Sequence, residues 1–144
     1  MFEEKVVVSG GNFWTENIEE EEDGQLNTVE SYDYVADTWS SMPNMYRRIR
    51  DHNLVVAKNK LFVIGRKKFE TFDNNSKCFI KLKLPKKVLK RFHEAVSFGD
   101  KVYIFNNHDN FISCYDVNKN EWSKISCQLT DQRFHYGCFL LPSN

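Results

Sequence analysis

The stretch that decides the fold is RRIRDHNLVVA, residues 47–57, in which an arginine, one further residue and a histidine precede an apolar run. The same order returns in RFHEAVSF, which begins at position 91, and in RFHYGCFLL, which begins at position 133. The arginines of the three copies, Arg50, Arg91 and Arg133, follow one another at intervals of 41 and 42 residues. A period of this size is typical of stacked supersecondary units, whereas a catalytic residue has no reason to recur.

Each of the first two copies begins a set of four short segments that the sequence predicts to be antiparallel strands. The second segments are KLFVIG (60–65) and KVYIFNN (101–107), and the turns before them, Lys58-Asn59 and Gly99-Asp100, suit the positive φ of tight hairpins. The third segments end in an aromatic residue and an aspartate that can bond its own turn, and the fourth are KCFIKLKL and EWSKIS. The N-terminal part has a second, third and fourth segment without a first.

Two tryptophans, Trp39 and Trp122, occupy equivalent places in the fourth segments. A tryptophan side chain covers about 150–250 Å², so its burial would contribute on the order of 4–6 kcal/mol. The sequence therefore predicts that both indoles are buried between neighbouring sheets.

The segments VVVSGG (6–11), VESYDYVADTW (29–39) and MPNMYRRIRDHNLVVAKNKLFVIG (42–65) together resemble the kelch repeat of kelch β-propellers. They keep its order: a double glycine after the second strand, Glu-x-Tyr-Asp in the third, Trp in the fourth, then Met-Pro, Arg and the next first strand. The later units depart from it, with Gly65-Arg66 and Asn106-Asn107 in place of the double glycine. The resemblance implies an all-β fold, a partial kelch propeller of about three four-stranded antiparallel blades, which is half of a six-bladed ring.

We expect one kelch-repeat domain over residues 1–144. Its first blade covers about 5–44 and lacks its first strand, its second about 50–84 and its third about 91–127, while 133–141 supply the first strand of a further or closing blade. Three blades do not readily close a ring, and their open ends would expose large aromatic faces. We therefore expect either a fragment of a longer six-bladed protein or a homodimer that completes a six-bladed propeller.

The resemblance also implies a function. In the BTB-BACK-kelch (kelch-like) proteins, the propeller captures a substrate protein for a cullin-based ubiquitin ligase, and other members bind actin. This chain is accordingly expected to be a protein–protein interaction module that recognises a substrate protein for such a ligase, with an actin-binding or cytoskeletal scaffold as the alternative. Arg50, Arg91 and Arg133 match in position the arginines that line the substrate pocket of that family, and guanidinium groups suit bidentate capture of carboxylates. The alternative is that each arginine bonds turn carbonyls on its own blade.

Charge and composition argue against other partners. Lys and Arg together number 20, as do Asp and Glu, and the basic run KLKLPKKVLKRFH (81–93) comes without a nucleic-acid motif, so we expect no nucleic acid. The acidic run ENIEEEED (16–23) is typical of a solvated loop, with docking of a basic partner as the alternative. The absence of a long apolar run, of a signal segment and of a CxxC pair predicts no membrane span, reduced thiols and a cytoplasmic location.

Three histidines, His52, His93 and His135, would look like a metal triad if they were read in isolation. The repeat places them on three different blades, so we expect no metal site, no catalytic residue and no cofactor. The sequence also has no GxSxG and no phosphate-binding glycine loop, and we predict that the chain is not an enzyme. A propeller enzyme that carries a metal or cofactor stays as the alternative, because fold alone does not decide function.

Overall fold

The computed structural model describes residues 4–13, 24–65, 68–85, 92–106 and 111–126. Over these ranges the chain forms eleven strands in three antiparallel sheets, and each sheet follows chain order from one edge to the other. The predicted all-β architecture of about three antiparallel blades is thereby confirmed. The described residues contain no helix that is long and apolar enough to cross a membrane.

The three sheets are named blades 1, 2 and 3 in chain order. Blade 1 consists of β1 (Val6–Ser9), β2 (Val29–Asp33) and β3 (Thr38–Met42). Blade 2 consists of β4 (His52–Ala57), β5 (Lys60–Gly65), β6 (Lys68–Asp73) and β7 (Cys78–Lys81). Blade 3 consists of β8 (Phe92–Phe98), β9 (Lys101–Asn106), β10 (Phe111–Asp116) and β11 (Glu121–Ser126).

The hairpin turns adopt the positive φ values that tight hairpins require. Lys58 and Asn59 have φ values of 50° and 54°, and Gly99 has a φ of 59°. In the turns after β2 and β10, the aspartate accepts backbone N–H bonds from the residues that follow it; Asp33 Oδ1 receives both Val35 and Ala36 at 3.0 Å. This is the local bonding expected of a turn aspartate, and it ends each third strand at the same place in the repeat.

Gly10, which follows β1, shows why the first double glycine is needed. Its φ is +58°, and a Cβ atom at this position would collide with the carbonyl oxygen of Ile49 and with the His52 ring. The amide of the next residue, Gly11, donates to that same Ile49 carbonyl at 2.9 Å. The close approach ties the end of β1 to the segment that enters blade 2, and only glycine permits it without strain.

Blade 2 lies between the other two blades and packs on both. The face of a blade that contacts the preceding blade is called here its leading face, and the opposite one its trailing face. The leading face of blade 2 packs against blade 1 and the segment after it, in a buried cluster of Val29, Met45, Ile49, Leu61, Val63, Phe72 and Phe79. The trailing face of blade 2 packs against the leading face of blade 3, in a second cluster of Val55, Ala57, Phe62, Ile64, Phe69, Ala95, Val102, Ile104 and Tyr115.

The two predicted indoles differ in their surroundings. Trp122, on the leading face of blade 3, is partly buried and donates Nε1–H to the Lys83 carbonyl at 3.0 Å. Its ring packs edge-to-face against the Phe69 ring of blade 2, with the centroids 5.1 Å apart. Trp39 is 56% exposed, so its predicted burial is wrong. It stands on the leading face of blade 1, which no other blade covers within the described part of the chain. In blade 2 the equivalent position is taken by Phe79, as its pairing with Phe72 shows.

Candidate functional site

The segment of residues 43–51 connects β3 of blade 1 to β4 of blade 2 and is called here the junction loop. Two apolar anchors hold it, because Met45 is 2% and Ile49 is 4% exposed. The amides of both anchors donate to the strand-like segment before β2, from Met45 to the Asn27 carbonyl at 2.8 Å and from Ile49 to the Leu26 carbonyl at 2.9 Å. The backbone between the anchors is thus held at both ends.

A buried carboxylate from blade 2 supports the middle of the loop. Glu70, in β6, is only 3% exposed, and its Oε2 accepts the Tyr46 backbone N–H at 2.9 Å. Burial raises the pKa of Glu70, while the Tyr46 N–H and the positive charges of Lys68 and Arg47 oppose that rise. Lys68 also donates from Nζ to the Arg48 carbonyl. The loop is therefore bonded to the body of blade 2 as well as to blade 1.

Between and beyond the anchors the loop directs polar and aromatic groups towards solvent. Tyr46 is 67% exposed, and Arg47, Arg48 and Arg50 are exposed as well. These four residues are called here the arginine platform. Guanidinium groups present forked donors that match carboxylates, and Tyr and Arg are the side chains that protein interfaces most often use as anchors. The platform offers these groups on a backbone that needs little ordering when a partner binds.

The predicted contact residue Arg50 lies one position before the end of the junction loop, and its Nε is 3.5 Å from Asp51 Oδ2. Its guanidinium is exposed and faces a carboxylate of the neighbouring residue, a weak pair at this exposure. The other two predicted contacts, Arg91 and Arg133, lie outside the described residues, as does the acidic run 16–23. The platform residues Tyr46, Arg47 and Arg48 were missed, although RRIR is visible in the sequence, because only the last arginine repeats.

His52, the histidine of the first Arg-x-His copy, links blades 1 and 2. Its Nε2 lies 2.8 Å from Ser9 Oγ at the end of β1. A serine beside a histidine can be a nucleophile and its base, but the next two amides, of Gly10 and Gly11, already donate to the carbonyls of Thr28 and Ile49. Burial lowers the pKa of His52. The pair is best explained as a clamp between two sheets.

The described residues bring only His52 of the three Arg-x-His histidines to this place. Position 93 belongs to β8 of blade 3, in a different sheet, and His135 lies outside the described residues. Across the described ranges there is no group of three or more His, Cys, Asp or Glu side chains placed to hold a metal ion.

Comparison with known proteins points to one family. A family model described as the Kelch motif matches residues 2–46, which cover blade 1 and the start of the junction loop. Over 126 residues, the chain is 25% identical to Kelch-like protein 38 of Rattus norvegicus. That alignment covers 81% of this chain and 21% of the rat protein, so the chain spans about a fifth of the length of the curated relative that it matches.

Proposed function

We propose that this chain, a kelch-repeat protein and a protein–protein interaction module, recognises a substrate protein for a cullin-based ubiquitin ligase. The arginine platform is the observation that carries the proposal. It is an exposed Arg and Tyr cluster on a loop that is bonded to two blades, through Met45 and Ile49 on one side and Glu70 on the other. Kelch repeats and the similarity to a kelch-like protein support the interaction role.

The partner that suits this surface is a protein segment rich in carboxylates. Each exposed guanidinium can bind a carboxylate in a bidentate manner, and the Tyr46 ring can cover the apolar part of an adjacent side chain. We propose that Arg50 acts in this way together with Arg91 and Arg133, which share its place in the repeat. Arg47 and Arg48 would widen the same positive surface around Arg50.

Affinity capture from cell extract tests this assignment. The wild-type chain is compared with an Arg50→Ala, Arg91→Ala, Arg133→Ala triple variant and with a control that carries Lys60→Ala, Lys77→Ala and Lys119→Ala. The control lysines are exposed and stand at or beside the hairpin turns, at the end of the strands remote from the junction loop. We expect the arginine triple variant to lose its captured proteins and the control to keep them, with both variants folded by circular dichroism. Equal capture by all three proteins would reject the arginine assignment.

The ligase part of the proposal needs its own measurement. The ubiquitin-modified fraction of a captured protein is compared in cells with and without the gene for this chain, and we expect that fraction to fall when the gene is deleted. An unchanged fraction would reject the ligase role and leave the interaction role standing. Actin is the second candidate partner, and co-sedimentation of the chain with filaments would favour a cytoskeletal scaffold instead.

We further propose that the chain is a partner for itself, as a homodimer that completes a six-bladed propeller, and that it acts in the cytoplasm without catalytic activity. The exposed Trp39 on the leading face of blade 1 supports self-association, because its equivalent in blade 3 is covered by another blade.

A further inference from the structure

The leading face of blade 1 has the form of a blade interface that lacks its second half. Its exposed apolar side chains, Val6, Val8 and Trp39, are between 42% and 56% exposed. The residues at the equivalent positions of blade 2, Leu61, Val63 and Phe79, are at most 6% exposed. The side chains of blade 2 are less exposed because blade 1 covers the leading face of blade 2.

The exposed face is also shaped like the covered ones. The ring centroids of Tyr32 and Trp39 in blade 1 are 5.1 Å apart. The equivalent pairs, Phe72 with Phe79 and Tyr115 with Trp122, are separated by 5.2 Å and 5.1 Å. Because the aromatic pair already has the spacing that it has in the two formed interfaces, a partner would meet a surface that needs little rearrangement.

The complementary surface is present on the same chain. The trailing face of blade 3 exposes Phe98 by 66% and Ile125 by 42%. The equivalent residues on the trailing face of blade 2 are Ala57, which is buried, and Leu82, which packs against the cluster between blades 2 and 3. Within the chain, the trailing face of one blade thus packs against the leading face of the next blade twice. In the described structure, the leading face of blade 1 and the trailing face of blade 3 are exposed.

We propose that the leading face of blade 1 binds the trailing face of blade 3 of a second copy of this chain. The inference rests on the proposed self-association and names its two faces. Trp122 donates its indole N–H to the Lys83 carbonyl of the preceding blade, and Ser126 holds the position of Lys83 one repeat later. The indole of Trp39 accordingly donates to the Ser126 carbonyl of the second copy. Two such contacts, related by a two-fold axis, close six blades into a ring and leave no open face.

Single substitutions on each face provide the first test, with the mass in solution measured by sedimentation over a range of chain concentrations. We expect the wild-type chain to be a dimer, and Trp39→Ala and Phe98→Asp each to raise its dissociation constant by about 30-fold or more, the size expected when an interface anchor is removed. Ile80→Ala is the matched control. Ile80 is 42% exposed, but it belongs to the central blade, so its loss leaves the dimer unchanged.

Mixing the two variants separates this arrangement from other dimers. Each variant alone has both contacts damaged, because each contact uses one leading and one trailing face. A mixed dimer has one intact contact, formed by the leading face of the Phe98→Asp chain and the trailing face of the Trp39→Ala chain. Because either substitution already removes most of the contact that it touches, the doubly substituted contact loses little more. We therefore expect the mixture to dimerise more tightly than either variant alone.

The alternative results are distinct. A wild-type chain that stays monomeric at all concentrations overturns the self-association itself, and the leading face would then suit a further blade of a longer protein. A dimer that both substitutions leave intact, or a mixture no tighter than its components, overturns the assignment of the faces. Open, growing chains of copies overturn the closure into a ring. None of these results affects partner capture through the arginine platform, which is measured separately.

Discussion

Truncation of Trp122 should cost far more stability than truncation of its repeat equivalent Trp39. Trp122 contacts the rings of Phe69 and Tyr115, each at a centroid distance of 5.1 Å, and bonds the Lys83 carbonyl at 3.0 Å. Loss of a partly buried indole at such a contact costs about 3 kcal/mol, and loss of its hydrogen bond accounts for about 1 kcal/mol more. We expect Trp122→Ala to lower the free energy of unfolding by about 3–4 kcal/mol, and Trp122→Phe by about 1 kcal/mol.

Trp39→Ala is the matched control, since it removes the same side chain from the same position of a strand. At chain concentrations where the protein is monomeric, its cost should be about 1 kcal/mol or less, because the side chain is 56% exposed and its ring contact is with Tyr32 of the same blade. Urea unfolding followed by far-ultraviolet circular dichroism measures both values without relying on tryptophan emission. Equal losses for the two variants would refute the reasoning that blade-to-blade contact, and not the local strand, makes the indole stabilising.

Three further changes test the contacts around the junction loop and the turns. Burial raises the folded-state pKa of Glu70 above its ordinary 4.5. The contribution of this shift to the free energy of unfolding is therefore complete below pH 4.5 and is lost as the pH rises through the folded-state pKa. In urea unfolding, Glu70→Gln should gain stability relative to wild type between pH 4 and pH 7. Burial lowers the folded-state pKa of His52 below 6.5. The contribution of this shift to the free energy of unfolding is therefore complete above pH 6.5 and is lost as the pH falls towards the folded-state pKa. His52→Gln should lose less stability than wild type when the pH is lowered from 7.5 to 5. Gly10→Ala should cost about 3 kcal/mol or more in urea unfolding, whereas Gly99→Ala, with a similar φ of +59° and open space around it, should cost only about 1–2 kcal/mol.

The repeat and its turns could be predicted from the sequence because they depend on local signals. The Arg-x-His copies, the aromatic-Asp pairs and the turn residues recur at a fixed spacing, and the turn aspartates act through contacts within one hairpin. Positive φ at Lys58, Asn59 and Gly99 was predictable for the same reason. The burial of each indole could not be predicted in this way. Trp39 and Trp122 have similar local sequences, but only Trp122 is covered by a preceding blade in the described structure.

The support of the arginine platform was equally hidden, because it depends on contacts distant in sequence. Glu30 and Glu70 both occupy the Glu-x-aromatic-Asp motif, yet Glu30 is exposed and Glu70 is buried, since the junction loop covers only the second. Ser113 takes this place in blade 3, so periodicity alone gives no sign that the position matters. A carboxylate between the two phenylalanines of one strand, Phe69 and Phe72, was the available signal, because a buried charge needs a specific bonding partner.

The position of Glu70 suggests why the chain keeps a carboxylate where a neutral side chain would be more easily buried. Desolvation makes the charged form unfavourable, as the raised pKa shows, and an apolar residue at this place would pack without that cost. An apolar residue would, however, leave the Tyr46 amide without its acceptor and release the loop between its two anchors. The carboxylate thus stabilises one loop conformation in particular. In the proposed partner binding, a backbone that is already held in place lowers the cost of ordering the exposed arginines, so the desolvation cost falls in the blade and the benefit in the geometry of the platform.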